Sequence, residues 1–158
     1  MSEIKRPLEG IKVVELATFI AAPCCARFLA DLGAEVIKIE SFAGDTQRTQ
    51  GPGFGCELTD TEDPTIDLNN TNKNWVSLNL KDPEGLAIAK KMIGEADIFM
   101  NNMRTAALKK LGLDYETLHE EFPGLIWGQM RGYGEFGEFA HAPGYDAVCW
   151  ACLLYTSP

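Results

Sequence analysis

Hydrophobic positions fall in short blocks whose period switches back and forth along this chain. Ile11–Leu16 (IKVVEL) is a compact β-branched run behind Gly10 and reads as a buried strand. Pro23 then opens a helix through Leu32, proline being favoured in the first turn and Gly33 suiting the far cap. Ala34–Glu40 (AEVIKIE) alternates as a second strand. The three form a strand-helix-strand unit of roughly 30 residues, the building block of parallel sheets.

Ser41–Asn74 breaks this rhythm. It is rich in Gly, Thr, Asp and Asn and holds Pro52 and Pro64. Most connections are about 4–6 residues, so a stretch this long predicts an ordered excursion over a functional site or a partner subunit. Trp75–Leu80 (WVSLNL) resumes the strand pattern. Asp82 then caps a helix that has Pro83 at its first position and runs to about Ala96, with Leu86, Ala89, Ile93 and Ala96 on one face. A strand at Asp97–Asn101, helices at Ala106–Leu111 and Asp114–Phe122, and a strand at Leu125–Met130 complete the pattern. The alternation predicts an α/β fold with a Rossmann-like, doubly wound, mostly parallel sheet.

Composition narrows the function. The 158 residues are 46% hydrophobic and 23% charged, ordinary for a globular chain with one packed core. No apolar run reaches the roughly 20 residues that cross a bilayer, and Met1–Pro7 lacks the apolar segment of a secretory signal. The expected address is the cytoplasm, with no membrane partner. A net charge of −9 argues against nucleic acid, whose phosphates need a basic face. Five cysteines without regular spacing and two histidines without partners at ligand spacing suggest neither a disulfide framework nor a metal site.

Ligands of open α/β sheets gather beyond the carboxyl ends of the strands. There this sequence places Ala17–Ala22, Lys81, Asn102–Arg104 and Arg131–Tyr133. Lys81 and Arg104 each precede a helix start, where the helix dipole also favours an anion. Taken singly, each reads first as a solvated surface charge; together, at strand ends of an acidic chain, they make an anion site an even alternative. Gly132, Gly134 and Gly137 spell a G-x-G-x-x-G, but 138–144 (EFAHAPG) reads as a loop rather than a helix, so the dinucleotide fingerprint lacks its context. His141 and Asp146 make an acid–base pair without a nucleophile, Asp146 serving equally as a helix cap, and Cys149 in an apolar run reads as core.

Four segments together resemble the class III CoA-transferases: Leu8–Glu40, Asn72–Gly85, Ala96–Leu118, and GQMRGYGEFG with PGYDAV within Gly128–Val148. Within that family the phrase FIAAPCCARFLADLGAEVIKIES and the GDTQR segment, Gly44–Arg48, are most similar to enzymes of amino-acid fermentation, the 2-hydroxyisocaproate and phenyllactate CoA-transferases. The resemblance implies a CoA-binding domain over 1–150 and an atypical, extraneous-looking tail over 151–158. Coenzyme A or acyl-CoA is implied as substrate, without a prosthetic group, together with carboxylic-acid substrates and a homodimeric parent.

By position, the implied CoA contacts are Phe19, Ile20, Ala21, Leu78, Lys81, Asn102, Met103, Arg104, Lys110, Leu111, Arg131 and Tyr133. Lys110 stands where the family often has Arg, keeping the charge but losing bidentate geometry. The family's chemistry runs through an aspartyl thioester. Its nucleophile is expected beyond residue 158, with Asp146 the candidate inside the chain, so these 158 residues are expected to bind rather than catalyse, with marginal stability of their own. An α-methylacyl-CoA racemase is the alternative reading, weakened because Tyr145 stands where its pattern has His. A chain that only binds CoA is the other.

Overall fold

The structure is a computed structural model that describes residues 5–57, 59, 62–140 and 142–144. Five strands form one sheet: β1 (Lys12–Leu16), β2 (Glu35–Glu40), β3 (Lys73–Ser77), β4 (Ile98–Asn101) and β5 (Ile126–Gln129). Their order is β3-β2-β1-β4-β5 and every neighbouring pair is parallel. This is the doubly wound order, in which the chain moves outward in one direction through β3 and then returns to start from β4 on the other side of β1. The described sheet is thus wholly rather than mostly parallel.

Helices α1 (Ala21–Asp31), α2 (Pro64–Asn70), α3 (Pro83–Gly94), α4 (Thr105–Leu111) and α5 (Tyr115–Glu121) cover the sheet. Two apolar clusters separate by strand parity. Val14, Leu16, Ile39 and Phe99 pack with Ala89, Ile93, Leu108, Leu113 and Leu118 on one face. Val13, Val36 and Met100 pack with Ala26 and Ala30 of α1 on the other. Adjacent residues such as Val13 and Val14, or Phe99 and Met100, point to opposite faces, so both faces are buried.

Most predicted elements stand within a residue or two of their expected ends, and three differ instructively. Helix α1 starts at Ala21, making Pro23 its third residue; proline is tolerated there because that N–H would have no helical partner. Within the 41–74 excursion lie two 3-10 turns, Thr46–Thr49 and Gly51–Phe54, and the whole of α2. The start of α2 was written in the sequence as Asp63, which caps Ile66 N–H, followed by Pro64. Its apolar periodicity was not, since Ile66 is buried while Leu68 is exposed. Strand β3 begins at Lys73 rather than Trp75 and ends at Ser77, because its backbone pairs with β2 from Val36–Lys73 to Glu40–Ser77, and the Lys73 side chain turns inward.

At the carboxyl end of β5 the chain makes turns and bends over 132–140 with no helix, as expected for a glycine motif without dinucleotide context. Gly132 and Gly144 lie back to back: a Cβ on Gly132 would stand 2.5 Å from the Gly144 Cα. His141, Tyr145, Asp146, Cys149 and the 151–158 tail lie outside the described residues.

Candidate functional site

The crevice of a doubly wound sheet opens where the strand order reverses, here between β1 and β4. Two turns meet there. Thr18 N–H donates to Asn102 Oδ1 at 3.1 Å, and Asn102 Nδ2 donates to Thr18 O at 2.6 Å. The Asn102 amide thus both accepts from and donates to the β1–α1 turn. Phe19, next in line, has φ 64°, a left-handed conformation that costs a non-glycine residue about 1–2 kcal/mol. Its N–H donates to Asp45 Oδ1 at 3.0 Å.

Asp45 is one corner of a buried ion network that sequence reading missed. Lys38 Nζ lies 2.8 Å from Glu15 Oε1 and 3.1 Å from Asp45 Oδ2, and donates to Ala17 O at 2.8 Å. Lys73 Nζ lies 2.6 Å from Glu15 Oε2 and donates to Pro23 O at 2.7 Å and Asn70 Oδ1 at 2.8 Å. Glu15 and Lys38 are 0% exposed and Asp45 2%. Two carboxylates face two ammonium groups, so the cluster is neutral, as burial requires. Desolvation still holds the Lys73 pKa below the ordinary lysine value, against the opposing pull of Glu15. A signal was available: Glu15 and Lys38 share strand parity with Val13 and Val36, the inward face of strands that are buried on both sides.

The first turn of α1 is bare by comparison. Ile20 at its N-cap makes no side-chain cap, and the first turn carries no acidic residue. Phe19 and Ile20 are exposed, and Ala21 opens the helix. Across the crevice Arg104 is the exposed N-cap residue of α4 and forms no ion pair with a described residue. Lys81, also exposed, follows β3 in the turn before α3. It shares the carboxyl edge but stands on the far side of β2 from the crevice.

The remaining expected residues are placed differently. Leu78, Met103 and Leu111 pack against the apolar cluster under α3–α5, and Lys110 is exposed in the last turn of α4. The Arg131 guanidinium is tied to Thr105 Oγ1 at 2.7 Å, Glu135 Oε1 at 2.9 Å and the Ala140 carbonyl. It organises the loop after β5 and is already neutralised. Tyr133 packs on Phe139 at 5.7 Å. A cleft of about 320 Å³ beside them is lined by Trp127, Gln129, Arg131, Gly134 and Glu135. A larger depression, about 510 Å³, is lined by Pro52, Gly55, Cys56 and Glu57 and by none of the crevice residues. Among the described residues no group of three His, Cys, Asp or Glu could hold a metal, and no helix is long and apolar enough to cross a membrane.

A parallel sheet in doubly wound order, with an uncapped helix start at its switch point and an Arg104 that pairs with no described acid, defines an open α/β protein. Sequence comparison makes the assignment specific: residues 8–154 match the model of CoA-transferase family III, and the chain belongs to that family. It is 51% identical over 143 residues to the (R)-2-hydroxy-4-methylpentanoate CoA-transferase of Clostridioides difficile, covering 90% of this chain and 36% of that protein. It is 54% identical over 137 residues to the cinnamoyl-CoA:phenyllactate CoA-transferase of Clostridium sporogenes, covering 87% of this chain and 33% of the relative. Among solved structures, a CAIB/BAIF family protein from Brucella suis superposes with a TM-score of 0.84 at 36% identity, over 94% of this chain and 39% of that one. The chain thus spans about a third of the length of these curated relatives.

Proposed function

We propose that this chain supplies the coenzyme-A-binding half-site of an enzyme that transfers CoA between an acyl-CoA and a carboxylic acid, of the 2-hydroxy type that two similar relatives name. The observation that carries this reading is the meeting of the Ala17–Ile20 turn with Asn102–Arg104 at the switch point. It brings to one strand edge the start of α1 and Arg104, which pairs with no described acid. In that first turn Pro23 has no N–H and Cys24 N–H donates to Ile20 O, so the N–H groups of Ala21 and Ala22 remain. CoA brings phosphates to such a place, and Arg104 offers them a forked, permanently charged donor. Lys81 adds a second cation along the same edge. Asn102 serves by shaping the turn, and Arg131 by shaping the loop after β5.

Transfer through an aspartyl thioester needs a carboxylate free to attack. Asp45, the carboxylate that touches the turn, is held by two N–H groups and Lys38, which makes it a poor nucleophile. The reading therefore gives these residues binding, and assigns the covalent step to an aspartate other than Asp45. In the parent enzyme it includes a cytoplasmic homodimer. Calorimetric titration of the chain with CoA tests it: Arg104→Ala is expected to weaken binding about tenfold or more, and Lys81→Ala by several fold. Unchanged affinity in both variants would remove the cation assignment.

A further inference from the structure

Four polar backbone groups of the β1–α1 turn are taken by side chains from other elements. Lys38 holds Ala17 O, Asn102 holds both Thr18 N–H and Thr18 O, and Asp45 holds Phe19 N–H. The first and last of these holders belong to one buried ion network. Asp45 itself is fixed by the excursion between β2 and β3, since its Oδ1 also accepts from Gln47 N–H at 3.0 Å, and α2 joins the network through Asn70 Oδ1, which accepts from Lys73 Nζ at 2.8 Å. The network thus connects α2 and the 3-10 turn at Thr46–Thr49 to the mouth of the crevice.

We infer that Asp45 is a positioning residue for the ligand: it clamps Phe19 in the left-handed conformation and so aims the first N–H groups of α1 at the anion. The inference rests on the CoA-binding reading above and adds to it a residue that does not touch CoA. The physical case is a balance of two terms. Phe19 prefers a negative φ, which would rotate its peptide away from the helix axis. A charge-assisted hydrogen bond from its N–H to a buried carboxylate is strong enough to reverse that preference. Lys38 Nζ, 3.1 Å from Asp45 Oδ2, holds the carboxylate in place, and Glu15 joins Lys38 to Lys73. Remove the acceptor and the turn relaxes, although the helix and sheet beneath it need not.

The experiment separates aiming from mere stability. Asp45→Ala removes the acceptor, whereas Asp45→Asn keeps an oxygen for Phe19 N–H and removes only the charge; both lower the melting temperature. CoA affinity by calorimetry is expected to fall about tenfold or more in Asp45→Ala, and no more than about threefold in Asp45→Asn. Glycine has no preference against positive φ. In a Phe19→Gly background, therefore, the loss caused by Asp45→Ala should shrink to about threefold or less. A folded Asp45→Ala chain that binds CoA within twofold of the unsubstituted chain overturns the role, as does a loss of the same size in the Phe19→Gly background. Should Asp45→Ala not fold, amide hydrogen exchange in the unsubstituted chain decides: a Phe19 N–H that exchanges as fast as an open loop amide overturns the clamp. An unsubstituted chain that binds no CoA defeats the ligand reading and this role with it, whereas binding indifferent to Asp45 defeats the role alone.

Discussion

The two faces of the sheet are made from alternate residues of the same strands, yet they are held by different forces. Toward α3, α4 and α5, β1 presents Val14 and Leu16, β2 presents Ile39 and β4 presents Phe99, all closed under helix side chains. Toward α1, the same strands present Val13 and Val36 in one layer and, in the next layer toward the carboxyl edge, Glu15 and Lys38 beside Met100. The apolar face is a packing device and tolerates any side chain of suitable volume. The mixed face is a device for fixing geometry, because each ionic contact specifies a partner and a distance. The crevice lies where the ionic end of the mixed face meets the carboxyl edge. The apolar face contributes stability alone, whereas the mixed face contributes both stability and aim.

The comparison can be broken from either side. The largest effect is expected from Glu15→Ala, which leaves two buried ammonium groups facing Asp45 alone. Removing one partner of a buried ion cluster costs about 3–5 kcal/mol, enough to unfold a chain of ordinary stability, and circular dichroism in a urea titration reads it directly. Ile93→Ala on the apolar face comes next, at about 2–4 kcal/mol for a fully buried side chain, with crevice geometry and CoA affinity of the folded fraction unchanged. If it altered ligand affinity as strongly as stability, the faces would not be separable.

The smallest effect is a pH slope. Desolvation lowers the Lys73 pKa from 10.5, so the folded chain releases that proton at a lower pH than the unfolded chain does. Between the lowered value and 10.5 the unfolded state binds more protons, and stability gains as pH rises through that window. Lys73→Met should remove this gain while other lysines continue to titrate alike in both chains. Equal slopes for the two chains through the window would contradict the assignment.

The same contrast explains what could be read from the sequence. The face of α3 formed by Leu86, Ala89 and Ile93 was legible because burial there follows a helical period, and Ala89 and Ile93 are indeed fully buried. The doubly wound α/β class was legible because β–α alternation leaves few topologies, although the strand order itself came only from the structure. Arg104 at the crevice was legible as a cation after a strand. The ionic cluster was not, because Glu15 and Lys73 stand 58 residues apart and each alone looks like a surface charge. Missing Lys73 also displaced the start of β3, and missing the role of Asn70 hid α2. Leu78 and Leu111 were placed by resemblance at a ligand, whereas periodicity alone would have sent them to the core they pack against.

The back-to-back glycines have a consequence for how this region tolerates change. Gly132 and Gly144 form a neck in which each backbone occupies the space a neighbouring Cβ would need. The segment between them is in effect a purse whose drawstring is two hydrogen atoms wide. Its contents can grow, since doubling a flexible loop adds only about 0.6 kcal/mol of closure entropy. Its mouth cannot, so insertions around Phe136, 92% exposed, should be accepted where a single methyl group at either glycine would force the strand end open.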